Sequence, residues 1–200
     1  MFERGGTFFA RRESSRDLDH QIGYAATATF RAAAAPREGD VYASLPRQVA
    51  RFPEIEGPPV VVFQDLDSPS AAATFGEVMC TTYRAFGAAG LITSGTGRDL
   101  DQVARLDFPV FTGGTIASHG YGRIVDLHVP VQVAGLTIYP GDLLHGDRNG
   151  VAKSTPAERA TVAEIWLNRS WPLMERWKSV PAEAWTAPGI PAADAERRQH

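Results

Sequence analysis

The segment around Gly97-Arg98-Asp99 constrains this chain more than any other. It follows an apolar run, residues 90–94, that predicts a buried strand, and it precedes residues 100–106, which have the pattern of a short helix. The carboxyl end of such a strand is where α/β proteins usually bind ligands. Arginine offers a planar fork to a carboxylate or enolate oxygen, and aspartate offers hard oxygen to a cation such as Mg²⁺. Taken alone, the pair is better explained by an N-capping aspartate beside an exposed arginine.

A second strand and helix precede this segment. Residues 58–65 form a β-rich apolar run, and Gly76-Glu77-Val78-Met79 opens a helical pattern that continues to Gly87. The predicted order is strand, loop, helix, strand, Gly-Arg-Asp, helix. The N-terminus of a helix presents free N–H groups and positive dipole character. Two helix N-termini that follow the ends of neighbouring strands predict an anion pocket beside a metal-binding carboxylate.

Five stretches, correctly ordered and spaced, make the chain resemble the RraA-like family, which includes the 4-hydroxy-4-methyl-2-oxoglutarate aldolases. The stretches are residues 76–79, 90–99, 108–111, 129–136 and 140–151. The resemblance implies an α/β fold of the β/β/α swivelling type, similar to phosphohistidine domains, as a single domain with a C-terminal helical extension. The family holds aldolases, oxaloacetate decarboxylases and non-catalytic regulators of ribonuclease E, so the resemblance is less specific for one activity.

The resemblance divides the chain into three parts. We expect an N-terminal arm over residues 1–22, an RraA-like α/β domain over residues 23–154, and a C-terminal helix and tail over residues 155–200. The arm is polar and rich in arginine, and it lacks the Thr/Ser-Leu-Ser-Asp-Ala-Leu-like pattern with which RraA-like proteins usually begin. The C-terminal part contains all of the tryptophans, which favour a core or an interface: Trp166, Trp171, Trp177 and Trp185.

The resemblance also implies a reaction, the cleavage of a carbon–carbon bond in a 2-oxo acid through a pyruvate enolate. It implies Asp99 as the protein ligand of Mg²⁺ or Mn²⁺, Arg98 as the donor to the keto or enolate oxygen, and backbone N–H groups of Gly76 to Met79 as the carboxylate contact. The chain has only two lysines, Lys153 and Lys178. Neither has an evident environment that would lower its pKa, which favours a metal mechanism over a Schiff base.

Two other functions stay open. A non-catalytic regulator that binds a protein partner would keep the fold and lose the chemistry; the Arg98–Asp99 pair favours catalysis, and the missing N-terminal pattern favours the regulator. Residues 113–119 are similar to the Gly-Gly-x-x-Ser-His signature of phosphohistidine domains, in which His119 would carry a phosphoryl group. Because Gly120-Tyr121-Gly122 is a poor start for a helix, we interpret His119 as a loop or pocket-edge residue.

Several further side chains are weaker candidates. Glu77 is either a first-turn helix charge or a group close to metal-bound water. Asp65 and Asp67 end the first apolar run, and they either border the pocket or only shape the loop. Arg123 is a candidate anion contact without a spacing argument, and Cys80 is predicted to be buried on the helix rather than a nucleophile.

Composition limits the partners. The chain has 200 residues, which is enough for one domain with a core. Its net charge is −3 and it has no Lys/Arg tract, so we expect no nucleic-acid partner. No apolar run is long enough to span a membrane and no signal peptide opens the chain, which favours a cytoplasmic protein with no membrane contact. The expected small partner is a 2-oxo acid, and the resemblance implies a homotrimer or a dimer of trimers with sites near subunit interfaces.

Overall fold

The computed structural model describes residues 21–35, 44–147 and 150–154. The helices are α1 (Ser44–Val49), α2 (Glu77–Ala85) and α3 (Leu100–Arg105), with a 3₁₀ helix at Phe52–Glu54. The strands are β1 (Gln21–Arg31), β2 (Pro59–Asp65), β3 (Ala73–Phe75), β4 (Gly90–Thr93), β5 (Thr96–Gly97), β6 (Val110–Phe111), β7 (Gly114–Thr115), β8 (Arg123–Leu127), β9 (Val131–Val133), β10 (Leu136–Ile138), β11 (Leu143–Asp147) and β12 (Gly150–Lys153).

One mixed sheet forms the centre of the described chain. Its order is β12-β11-β1-β2-β4-β6, and β8 also pairs with β1. The pairs β1–β2, β2–β4 and β4–β6 are parallel, whereas β1–β11, β1–β8 and β11–β12 are antiparallel. Parallel strands covered on both faces need continuous apolar sequence, and residues 60–63 of β2 are fully buried. The predicted α/β class is confirmed, and the finer assignment to the swivelling type stays a prediction.

A second, smaller sheet follows the parallel strands, and two of its three strands directly continue β4 and β6. β3, β5 and β7 form it in the order β3-β5-β7, with both pairs parallel. β5 begins three residues after the end of β4, and β7 begins three residues after the end of β6. Phe75 at the end of β3 is in register with Gly97 at the end of β5. Since α2 follows β3 and α3 follows β5, the two helices begin at the same edge of this small sheet.

Alternate side chains of β2 pack into two different cores. Val61 and Phe63 face a cluster that includes Tyr83 of α2, whereas Val60 and Val62 face a cluster that includes Leu136 of the β9–β10 hairpin. The helices therefore cover one face of the main sheet and the hairpin covers the other. The Tyr83 hydroxyl donates a hydrogen bond of 2.6 Å to Gln48, and burial raises the pKa of this phenol well above its usual range.

Helix α2 ends in a glycine turn that returns the chain to the sheet. Gly87 has φ +83°, a left-handed conformation that glycine adopts without a steric penalty. The Gly87 N–H donates to Arg84 O, and the Ala88 N–H donates to Tyr83 O, both at 3.0 Å. These two bonds form a Schellman motif, which satisfies the last carbonyl groups of the helix and directs residues 88–90 into β4.

Three sequence-based boundaries differ from the structure or lie beyond it. The alternation of threonine and phenylalanine with alanine predicts a strand over residues 25–35. The structure has this strand as β1, Gln21–Arg31, because its first residues pair with β11 and its end is capped by Asp67. The Asp67 carboxylate accepts the N–H groups of Ala32 and Ala33, which replaces further pairing in the sheet. The sequence of residues 42–52 is compatible with a short helix, and among the described residues of this stretch the α-helix is α1. The expected N-terminal arm, apart from Gln21 and Ile22, and the expected C-terminal helix with its tryptophans lie outside the described residues.

The described helices are short. Within residues 21–35, 44–147 and 150–154, no helix has the length and apolar character that crossing a membrane requires. The longest of them, α2, spans 9 residues.

His128 provides a pH test of the fold. Burial lowers the pKa of its imidazole, the positive charge of Arg51 lowers it further, and the Glu54 carboxylate at 3.4 Å opposes both effects. The unfolded chain therefore binds a proton near the ordinary pKa of 6.5, at a pH where the folded chain does not. We expect the free energy of unfolding to fall as the pH drops below about 6.5.

Replacement by asparagine isolates this contribution. His128 has φ +53°, and asparagine tolerates the left-handed region better than most residues. We expect His128→Asn to reduce the loss of stability between pH 7.5 and 5.5 in urea unfolding experiments. An identical loss in both proteins would show that other groups cause the acid sensitivity.

Candidate functional site

Asp99 connects the starts of two helices. It occupies the N-cap position of α3 with φ +56° and ψ +36°, a left-handed conformation. Its side chain makes no cap hydrogen bond to α3, and its Oδ2 instead accepts the Glu77 N–H of α2 at 3.1 Å. The interpretation of Asp99 as an ordinary cap of its own helix is therefore wrong. A carboxylate at a helix N-terminus is stabilised by the free N–H groups and by the helix dipole, so this contact fixes the side chain next to α2.

Arg98 is held at the same place by its backbone and its side chain. Its N–H donates to Phe75 O at 3.2 Å, which ties the residue to the end of β3. Its Nε lies 3.7 Å from Oδ2 of Asp99, and the two side chains are 30% and 40% exposed. A partly exposed ion pair adds little stability. The Arg98–Asp99 pair therefore matters more for the charges it presents than for holding the fold together.

Gly76 leaves the space in which this pair lies. A Cβ at this position would lie 2.6 Å from Asp99 Oδ2 and 3.0 Å from Arg98 Nε. The backbone of Gly76 is extended, with φ −154°, so the constraint is space rather than conformation. The glycine that opens the helical pattern in the sequence is thus required because the side chains of the next loop approach the backbone.

The Arg98–Asp99 pair lines a pocket with a volume of about 120 Å³. The predicted residues Gly76, Val78, Met79, Arg98 and Asp99 all line it, so the structure brings these predicted site residues together. The Glu77 side chain is exposed and is not part of the lining, and its N–H is already bonded to Asp99. The remaining wall is mainly apolar and comprises Phe30, Leu45, Ala73, Phe75, Gly122 and Ile124, with Ser44.

The N–H groups at the start of α2 give the pocket its anion-binding character. The first hydrogen bond within the helix runs from Cys80 N–H to Gly76 O, at 3.0 Å. The N–H groups of Val78 and Met79 precede it and have no acceptor among the described residues. With Glu77 N–H bound to Asp99, these two donors are left for the carboxylate of a ligand.

Two further polar side chains join the pocket from a distant part of the chain. Arg123, at the start of β8, and His119, in the preceding loop, both line it. The sequence marked Arg123 as an anion contact, but only the antiparallel pairing of β8 with β1 places it here. His119 lies at the pocket edge, as we interpreted it, and its Nδ1 is 3.4 Å from Gly120 O.

Asp65 and Asp67 do not line this pocket. Asp65 Oδ1 accepts the Asp67 N–H at 3.0 Å, and Asp67 in turn caps β1 and lies 3.6 Å from Arg31. Of the two interpretations left open, the structure supports a role in shaping the loop. Cys80 is buried as predicted, and burial together with the charge of Asp99 raises the pKa of its thiol. It therefore stays a thiol at neutral pH and is a poor nucleophile.

The chemistry of the pocket suits a hard divalent cation. Within the described residues, no three His, Cys, Asp or Glu side chains lie close enough together to form a metal cage. Among the described residues that line the pocket, Asp99 is the only carboxylate, and its Oδ1 has no hydrogen bond to any of them. Mg²⁺ is commonly bound through one or two carboxylates while keeping several waters, unlike structural zinc. The donor set therefore fits Mg²⁺ or Mn²⁺ with a bound ligand completing the coordination.

The fold and this pocket define a class, a mixed α/β protein whose anion pocket is built from an Arg-Asp pair and the N-terminus of the preceding helix. The family model described as RraA-like, Aldolase/RraA, matches residues 7–152. The chain belongs to the RraA-like family, as the sequence motifs predicted.

Individual relatives agree with this assignment. A protein of Halalkalibacterium halodurans, whose name proposes a 4-hydroxy-4-methyl-2-oxoglutarate aldolase, is 34% identical over 92 residues, which cover 46% of this chain and 44% of the relative. A Pseudomonas fluorescens protein whose name proposes the same activity is 33% identical over 105 residues, 49% of this chain and 61% of the relative. The matched segments therefore span only about half the length of these curated relatives.

A solved structure shows the same fold. Streptomyces coelicolor RraAS2, described as an unusual member of the RNase ES inhibitor RraA protein family, matches with a TM-score of 0.61 and 23% identity. The match covers 88% of this chain and 83% of that chain. At this identity the likeness shows the fold alone.

Gly76→Ala tests the space argument. We expect the chain to fold, because the backbone is extended and the clashing atoms are the ends of flexible side chains. Asp99 should move away from Glu77 N–H, and the free energy of unfolding should change by only about 1 kcal/mol, since alanine also restricts the unfolded chain. The Glu77 amide resonance and urea unfolding measure both effects.

Gly114→Ala is the matched control. A Cβ there meets only Thr96 Cγ2, at an ordinary 3.5 Å, although Gly114 lines the same small sheet. If both variants leave the Glu77 resonance unchanged, Gly76 does not form the space for the Arg98–Asp99 pair.

Proposed function

We propose that this protein is a divalent-metal-dependent carbon–carbon lyase that acts on 2-oxo acids, similar to 4-hydroxy-4-methyl-2-oxoglutarate aldolase with oxaloacetate decarboxylase activity. The observation that carries the proposal is the meeting of Arg98 and Asp99 with the free N–H groups of α2 in one pocket. The names of the curated relatives support the aldolase activity. Substrate and metal are assigned from the chemistry of the pocket.

The residues of the pocket divide the recognition of a 2-oxo acid between them. The N–H groups of Val78 and Met79 bind the substrate carboxylate at the N-terminus of α2. The Arg98 guanidinium donates to the keto oxygen, and this hydrogen bond strengthens as the oxygen gains charge. Asp99 would hold Mg²⁺ or Mn²⁺, which when bound supplies Lewis-acid stabilisation of the charge that develops on the substrate.

One electron flow accounts for both reactions. In the aldol cleavage a base removes the proton of the hydroxyl on C4, the C3–C4 bond breaks, and its electron pair passes through C3 and C2 to the keto oxygen. The products are a carbonyl compound and the pyruvate enolate, which takes up a proton at C3 to give pyruvate. In oxaloacetate the same bond breaks to release CO₂ and leaves the same enolate. In both cases Arg98, which lines the pocket, would bind the oxygen on which the charge accumulates.

A non-catalytic regulator that binds a protein partner is the second candidate function. The likeness to RraAS2 favours it, but that likeness shows the fold alone. The phosphohistidine alternative at His119 has less support, because the chain after His119 forms a turn and then β8 rather than a helix. The presence of both Arg98 and Asp99 in a pocket with free N–H donors ranks the enzyme first.

We also propose that the chain assembles as a homotrimer or a dimer of trimers, with each site close to a neighbouring subunit. This proposal rests on the membership of the chain in the RraA-like family. Light scattering at micromolar concentration should give three or six times the mass of one chain. A stable monomer would exclude this arrangement.

Asp99→Ala and Arg98→Lys should both lose activity, but for different reasons. Asp99→Ala removes the carboxylate assigned to the cation, so metal affinity should fall steeply and activity should return only partly at high metal concentration. Arg98→Lys keeps a positive charge but loses the planar fork, so metal binding should survive. Loss of one preorganised donor typically lowers kcat by roughly 10²–10³-fold, with a smaller change in KM.

The measurement is pyruvate release, coupled to lactate dehydrogenase, from hydroxylated 2-oxo acids and oxaloacetate with Mg²⁺, Mn²⁺ or EDTA. Metal binding is followed separately by calorimetry. If both variants turn over the substrates at the rate of the wild type, the active site lies elsewhere. A wild type that binds Mg²⁺ and pyruvate without turning over any substrate would favour the regulator.

A further inference from the structure

His119 lines the pocket in which Arg98 and Asp99 meet. The aldol cleavage proposed there requires a base for the proton of the C4 hydroxyl. The N–H groups at the start of α2 and the Arg98 guanidinium are hydrogen-bond donors, so neither can accept this proton. An imidazole takes up and releases a proton near neutral pH, and histidine is the side chain that most often does so in catalysis.

The other charged side chains of the pocket have properties that do not suit this step. The described lining residues that carry a charge or titrate are Arg98 and Asp99 before α3, Arg123 at the start of β8, and His119 in the loop before β8. The two arginines stay protonated in proteins. The Asp99 carboxylate accepts Glu77 N–H and is assigned to the cation. Of these four groups, His119 is therefore the one suited to exchange a proton with a substrate.

Two backbone hydrogen bonds fix the loop that carries His119. The Ala73 N–H donates to Ser118 O at 3.0 Å, which ties the loop to the start of β3. The Tyr121 N–H donates to Ala32 O at 3.1 Å, which ties it to the chain that follows β1. The histidine is thus held at the pocket edge between two anchored residues, as a group that must meet a substrate proton in a defined geometry requires.

Gly120 determines both the turn of this loop and a contact of the imidazole. It has φ +51°, and a Cβ there would lie 2.8 Å from the Cβ of buried Ala72, so conformation and space both favour glycine. His119 Nδ1 lies 3.4 Å from Gly120 O. Because a carbonyl oxygen only accepts hydrogen bonds, this contact favours the tautomer with the proton on Nδ1 and the lone pair on Nε2.

We propose that His119 is a catalytic residue of the aldol cleavage, in which its Nε2 takes the proton of the C4 hydroxyl. This inference rests on the proposed function. As the proton passes to Nε2, the electron pair of the O–H bond forms the carbonyl of the leaving product, the C3–C4 bond breaks, and its electron pair forms the pyruvate enolate. The imidazolium then returns the proton to C3, which gives pyruvate and restores the neutral imidazole.

The inference separates the two reactions of the pocket. Oxaloacetate has no hydroxyl proton to lose, because its C4 carboxylate is already ionised when the C3–C4 bond breaks and CO₂ leaves. The enolate that remains can take its proton from water. Removal of the imidazole should therefore impair the aldol cleavage far more than the decarboxylation.

The kinetic test compares 4-hydroxy-4-methyl-2-oxoglutarate with oxaloacetate in the protein with Mg²⁺. Both release pyruvate, so one coupled assay measures both. His119→Gln keeps a polar side chain that cannot take up a proton. We expect it to lower kcat for the aldol cleavage by about 10²–10⁴-fold, the usual contribution of a general base, and kcat for the decarboxylation by less than about tenfold.

The pH profile gives a second kinetic measurement. In the wild type, kcat/KM for the aldol cleavage should fall at acidic pH as the imidazole becomes protonated, since only the neutral form can accept the hydroxyl proton. The decarboxylation should lack this acidic limb, and so should the residual aldol cleavage by His119→Gln. The same acidic limb in both reactions of the wild type would overturn the inference.

Ser118→Ala is the matched control. Ser118 precedes His119 in the same loop, its side chain is exposed, and it is not one of the pocket-lining residues. Its backbone bond to Ala73 is kept, so both kcat values should stay unchanged. If His119→Gln lowers both reactions by the same factor, or lowers the aldol cleavage no more than Ser118→Ala does, His119 has only a structural role and the inference is overturned while the proposed lyase stands.

A spectroscopic measurement makes the test independent of turnover. The ¹⁵N resonances of the His119 imidazole, assigned by their loss in His119→Gln, should show the Nδ1–H tautomer in the neutral ring. A predominant Nε2–H tautomer would overturn the assignment of Nε2 as the base. A wild type that decarboxylates oxaloacetate but cleaves no hydroxylated 2-oxo acid would overturn the inference and leave a decarboxylase, whereas turnover of neither substrate would refute the lyase and the role of His119 together.

Discussion

The site depends on one hydrogen bond, from Glu77 N–H to Asp99 Oδ2. It forms because Asp99 has a left-handed backbone, which directs the carboxylate away from its own helix α3 and toward the start of α2. The cost of that backbone, of order 1–2 kcal/mol for a residue other than glycine, is offset where a charged acceptor meets the N-terminus of a helix. Without this contact, the two helices would begin at the same sheet edge but would not share a charged group.

The small sheet makes the contact possible. The β3–β5 pairing brings Phe75 and Gly97 into register, and the Arg98 N–H continues it by donating to Phe75 O. Glycine is needed at both ends of this arrangement. A side chain at Gly97 would collide with the Phe75 ring, and one at Gly76 would displace the Arg98–Asp99 pair. Gly76 and Gly97 are therefore needed because neighbouring side chains approach the backbone closely at both positions. This requirement adds to the one for free N–H groups at the start of α2.

The sequence predicted the parts of this structure that have a local signal. The apolar runs that became β2 and β4, the starts of α2 and α3, and the meeting of their loops all follow from pattern and turn chemistry. Strands of two or three residues, such as β5, have no periodicity to detect, so the small sheet was missed. The end of β1 was misplaced because its cap is Asp67, a side chain from the following strand-loop segment. Arg123 was found only by residue type, since its position depends on pairing between strands far apart in the chain.

The same reasoning explains how one family can hold both enzymes and regulators. The main sheet, its two cores and the Schellman turn after α2 depend on apolar side chains, of which only a few, such as Phe30 and Phe75, also line the pocket. The chemistry depends on a few polar groups on loops at one edge, and their partly exposed ion pair contributes little to stability. Loss of Arg98 or Asp99 should thus leave the fold intact and remove the proposed reaction. The retention of both, together with a glycine that leaves room for them and a second arginine opposite, argues that this chain uses the pocket for anionic ligands.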